Sequence, residues 1–148
     1  MAKSNEHFIC KVLKPYKLIF TMFTRPVDFE EYKEAMLQVY STIKDHQLEN
    51  WVMDSTKTII TLQEQKWSTE HLGLLLQETP LVKVAMVRAN DAILQISAES
   101  IRNKIYRIFG KQKELEHFSN LPDALAFMLP GQVEVEEAMQ RLNEVIKV

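Results

Sequence analysis

Hydrophobic positions along this chain recur at two different periods. Phe8-Ile9-Cys10-Lys11-Val12-Leu13 and Leu18-Ile19-Phe20-Thr21-Met22-Phe23 are short runs rich in β-branched and aromatic residues. Lys14-Pro15-Tyr16-Lys17 separates them, and proline suits a tight turn, so the pair predicts a β-hairpin. In the second run both alternating sets are apolar: Leu18, Phe20 and Met22 on one side, Ile19 and Phe23 on the other. A strand of that kind is covered on both faces. From Asp28 the period changes. Asp28 and Glu31 have capping-box spacing, and Phe29, Tyr32, Met36, Val39 and Ile43 then line one face of a helix reaching about His46.

The same alternation continues downstream. Trp51-Val52-Met53-Asp54 reads as a strand. Thr61 and Glu64 form a second capping box, opening a helix from Leu62 to Gln77 that stops before Pro80. Val82 to Val87 is the best candidate for a central buried strand. A helix is expected from Ala98 to Phe109, with Gly110 as its C-cap. Leu115 to Phe118 is a short strand. Asn120 caps a brief helix from Leu121 to Leu129, Pro122 being tolerated in its first turn. Beyond Pro130-Gly131, Val135, Ala138, Leu142 and Val145 mark a final helix, Gln132 to Lys147. Strands alternating with helices predict an α/β domain with an initial hairpin, a mostly parallel sheet of about five strands and right-handed crossovers. The chain reads as one domain over 1–148, with 132–147 as an appended C-terminal helix. If the connecting helices share one face of the sheet, either this last helix or a second subunit must cover the other, and a homodimer is the expectation.

Composition narrows the chemistry. The 148 residues carry 18 Lys+Arg against 20 Asp+Glu, a formal charge of −2, which argues against a dedicated nucleic-acid binder. A single cysteine, Cys10, excludes an internal disulfide framework and suits a reducing compartment. Three glycines leave little material for phosphate-cradling loops. His7, His46, His71 and His117 lie far apart without zinc-ligand spacing, so no metal or cofactor is implied. The polar N-terminus and short apolar runs contain neither a signal peptide nor a membrane span, and a soluble, cytoplasmic protein is expected.

Trp51-Val-Met-Asp54, Ile60-Thr-Leu-Gln-Glu-Gln-Lys-Trp67, Lys83-Val-Ala-Met-Val87 and Asp123-Ala-Leu-Ala-Phe-Met-Leu129 follow one another in an order that resembles the small bacterial STAS-like proteins. These are related in fold to the anti-sigma-factor antagonists of sporulation (SpoIIAA-like). The resemblance covers the chain to about Leu129 and implies a β-α superhelix that works by protein interaction or regulation and is not an enzyme. In the antagonists a Ser or Thr after a strand-ending Asp is phosphorylated. The matching residues here are Asp54, Ser55 and Thr56, with Lys57 where the family carries glycine.

Phosphorylation there would add about −1.5 to −2 charge. The alternative is that Asp54, Ser55 and Thr56 simply form an Asx- or ST-type turn. Parallel sheets also place their sites beyond the carboxyl ends of the strands. That rim would gather Thr24 with Arg25, Arg88 with Asn90 and Asp91, and Ser119 with Asn120, where the arginines could hold an anion or an acidic partner. Arg102, Lys104, Arg107, Lys111 and Lys113 form a basic stretch that reads most simply as a solvated face. Trp51 and Trp67 read as core anchors. A second class of function is a carrier for a small apolar or lipid-like ligand, held in a cavity under Leu72, Leu75 and Met86.

Overall fold

The computed structural model describes residues 7–88 and 114–146. Strand β1 (Phe8–Leu13) turns through a single 3-10 turn at Lys14–Tyr16 into β2 (Leu18–Phe23). Lys17 completes the reversal in the left-handed region, with φ 49°. Helix α1 (Phe29–His46), strand β3 (Asn50–Asp54), helices α2 (Leu62–Trp67) and α3 (Gly73–Gln77), and strand β4 (Lys83–Val87) follow. Strand β5 (Glu114–Phe118) and helices α4 (Leu121–Met128) and α5 (Gln132–Ile146) close the chain.

The five strands stand in chain order, β1-β2-β3-β4-β5, with β1 antiparallel to β2 and the remaining pairs parallel. This is the α/β layout expected from the alternating periods, and it is consistent with a STAS-like domain. Both capping boxes form. Asp28 accepts the Glu31 N–H at 2.8 Å while Glu31 accepts the Asp28 N–H at 3.0 Å. Thr61 and Glu64 exchange the equivalent bonds at 3.1 and 2.9 Å. These bonds satisfy amides that a helix start otherwise leaves unpaired.

All six residues of β2 are buried, as its two apolar faces require. Ile19 and Phe23 enter one core with Tyr32, Met36, Trp51, Met53, Leu72 and Met86, beneath α1, α2 and α3. Leu18, Phe20 and Met22 enter the other with Val52, Ala85, Leu125, Ala138 and Leu142, beneath α4 and α5. Right-handed crossovers put the helices joining β2, β3 and β4 on a single face. The final helix covers the opposite face with residues of its own chain, so the sheet needs no second subunit for coverage. Among the described residues no helix is long and apolar enough to cross a membrane. The predicted helix over Ala98–Phe109, the basic stretch Arg102–Lys113, and Asn90 and Asp91 lie outside the described residues.

Candidate functional site

The segment from Leu62 to Gln77 is one helical run with an irregular centre. Ser68–Leu72 is a π-helical turn, in which the Gly73 N–H donates to the Ser68 carbonyl five residues back. A π turn inserts one residue into the usual spacing and so re-aims the side chains around it; such turns are frequent at functional sites. Here it directs Ser68, Leu72 and Gly73 toward the sheet, opposite Trp51, Met53, Val84 and Met86. Gln65, which would otherwise be a buried amide without a partner, donates from its side chain to the Ile60 carbonyl at 3.1 Å.

A cavity remains between these layers, walled also by Tyr32 and Met36 of α1 and by Ile60, Leu76 and Leu115. It is partly open to solvent, and the centres of water-sized spheres find about 50 Å3 of space in it. A water needs roughly 10–15 Å3 of such space, so the cavity accepts a few water-sized units. Three of its wall residues are methionines: Met36, Met53 and Met86. Unbranched thioether side chains adjust readily to the shape of what they contact, which makes this wall adaptable.

Polar groups reach the chamber at few points. The Tyr32 hydroxyl and the Ser68 hydroxyl are 2.7 Å apart. Burial pushes the Tyr32 phenol well above its ordinary value, the Ser68 hydrogen bond opposes that, and the Glu64 carboxylate adds to it. Tyr32 is therefore a neutral hydrogen-bonding group and not a nucleophile. Glu64, only 2% exposed, has its own carboxyl raised by burial, an effect opposed by its hydrogen bonds with the Thr61 backbone and hydroxyl. The Trp51 indole N–H donates to the buried Thr21 hydroxyl at 3.0 Å, which fixes the ring in the cavity wall.

The rim at the carboxyl ends of the strands is built as the parallel register dictates, with Met22, Asp54, Val87 and Phe118 level with one another. Ser55 extends the ladder: its N–H donates to the Val87 carbonyl at 2.8 Å, and its hydroxyl, also buried, points to the same oxygen at 3.3 Å. Asp54 accepts both the Thr56 N–H at 2.9 Å and the Thr56 hydroxyl at 2.7 Å, an Asx turn that leaves Thr56 exposed. Arg25 forms a two-pronged pair with Glu31, at 2.9 and 3.3 Å, and donates to the Pro26 carbonyl. This pairing, with the Asp28 N–H bond, holds the Glu31 carboxyl down at about 2. The Arg88 N–H continues the sheet to the Phe118 carbonyl. Ser119 is exposed, directly before the Asn120 cap of α4. Backbone register thus brings Ser55, Arg88 and Ser119 to one edge, while Arg25 is directed to the start of α1.

Cys10 is half-buried, and burial raises its thiol against an opposing hydrogen bond from Thr42. Among the described residues, no group of three or more His, Cys, Asp or Glu is placed to hold a metal ion. Of the residues expected to bound an apolar cavity, Leu72 and Met86 do so. Leu75 is replaced by Leu76, because the π turn rotates the end of the helix. Tyr32, Ser68, Gln65 and Trp51 were not anticipated as cavity residues. The signal available for them was a helix face, Gln65-Ser68-Leu72-Leu76, that mixes polar and apolar residues. No family model matches this chain, and no curated protein or solved structure matches it either.

Proposed function

We propose that this chain is a non-enzymatic STAS-like binding module whose cavity, beneath α1, α2 and α3, receives a small apolar ligand. The observation that carries this reading is the chamber itself: apolar walls, three methionines, a π-helical turn at its side and a passage to solvent. Binding sites for small molecules are typically concave and largely apolar, with a few placed polar groups. The cavity suits a compact apolar group. Organic extracts of protein purified from its native cell are expected to contain one recurrent apolar molecule in a stoichiometric amount. Absence of any such molecule, together with no rise in Tm in saturating ethylbenzene, overturns the reading.

A second reading is a protein-interaction or regulatory surface at the carboxyl-end rim, switched by phosphorylation. It is favoured by the exposed Thr56, followed in the same connection by Ile59 and at the start of α2 by Leu62, two apolar side chains that are 67% and 76% exposed. Of the two hydroxyls at that turn, Thr56 offers the accessible oxygen. Intact mass measured on protein from native cells tests it. Unmodified protein under all growth conditions, with an inert Thr56→Asp variant, sinks the switch.

A further inference from the structure

The hydroxyl pair in the cavity wall has hydrogen-bonding capacity that its own bond does not use. Tyr32 and Ser68 carry two O–H groups, and the bond between them engages one. The second O–H has no protein acceptor among the described residues. Whichever hydroxyl donates to the other, one donor therefore remains where both residues line the chamber. Burying an unused hydroxyl proton is unfavourable, and a ligand oxygen placed there removes that cost.

The surroundings also set the charge of what can bind. No lysine, arginine or histidine lines the chamber among the described residues. Glu64 acts on Tyr32 electrostatically, and its negative charge disfavours a second negative charge at the phenol. A carboxylate entering here would lose its hydration, gain no cation, and face a like charge.

We infer that the Tyr32–Ser68 hydroxyl pair is the polar anchor of the cavity, and that it selects a neutral ligand carrying a carbonyl or ether oxygen on an apolar body. This specificity rests on the ligand-binding reading given above. Three probes of similar shape separate the possibilities: acetophenone offers a neutral carbonyl, ethylbenzene offers none, and benzoate offers an anion.

Isothermal titration calorimetry on the whole chain should rank them acetophenone, ethylbenzene, benzoate. One net neutral hydrogen bond corresponds to roughly threefold to tenfold in Kd, which is the expected lead of acetophenone over ethylbenzene. The double substitution Tyr32→Phe with Ser68→Ala should abolish that lead, because either hydroxyl left alone keeps one O–H able to donate to the ligand. The rank of benzoate below ethylbenzene, measured on the unaltered chain, provides a second test should the double variant fold poorly. Benzoate binding as well as acetophenone, or an acetophenone lead that survives the double substitution, overturns the inference and leaves the cavity as a plain apolar site. If none of the three probes binds, the ligand-binding reading fails, and the inference fails with it.

Discussion

The two faces of the sheet are covered by helices in different ways. Beneath α4 and α5 small and aliphatic side chains surround the Phe20 ring, with Ala85, Ala124 and Ala138 all fully buried. Small side chains let helix and sheet approach, and leucines such as Leu125 and Leu142 then fill the gaps. Beneath α1, α2 and α3 the residues are larger and more irregular: Trp51, Tyr32, Phe23 and the three methionines of the cavity wall. Adjacent residues on one strand show the contrast, since Val84 and Met86 face the cavity while Ala85 and Val87 face the closed side. A dense layer on one side thus supports a layer on the other that leaves space.

The largest expected effect is on the dense face. Phe20→Ala removes a fully buried ring there and should cost about 3–5 kcal/mol, read from urea denaturation midpoints. Paired insertions then test the asymmetry by sign. Ala85→Val should destabilise by about 1–3 kcal/mol, because it overpacks a filled interface. Val84→Ile, one residue away, should instead stabilise by about 0.5–2 kcal/mol, because its extra methylene enters open space. Equal losses at both positions would remove the distinction between the faces.

Cap removal should have intermediate effects. Asp28→Ala and Thr61→Ala each delete one capping box and should cost about 1 kcal/mol in the same assay. The smallest effect concerns acid. Glu31 has a folded-state pKa of about 2, lowered from 4.5 chiefly by Arg25. A carboxyl depressed by folding contributes stability above its unfolded value and loses it as pH falls toward the folded value. Stability should therefore decline between about pH 4.5 and 2, and Glu31→Gln should flatten that decline when urea midpoints are compared across the window.

Much of this architecture could be read from local pattern. The two apolar sets of Leu18–Phe23 announced a strand buried on both sides, and Asp28/Glu31 and Thr61/Glu64 announced two helix starts. These are features carried by neighbouring residues. The π turn at Ser68–Leu72 could not be read in this way, because nothing in a three- and four-residue repeat marks where one extra residue is accommodated. The cavity was legible only as Leu72 and Met86, since its volume depends on how α1, β3, β4 and the Leu62–Gln77 run meet in space. Ser55 illustrates the limit at the rim. Its residue type suggests an accessible hydroxyl, but the β3–β4 ladder extends one residue further and buries it. What covered the far face of the sheet was open from sequence alone, and α5 answers it through Val135, Ala138 and Leu142.

The most direct test is an NMR titration with ethylbenzene on protein whose methionine methyl groups carry 13C. Met36, Met53 and Met86 line the cavity, whereas Met22, Met128 and Met139 pack on the closed face. The expected result is a saturable shift of the first three signals with the second three nearly unmoved. Shifts spread equally over both sets, or confined to the closed face, would contradict the proposal that the cavity is a ligand-binding site.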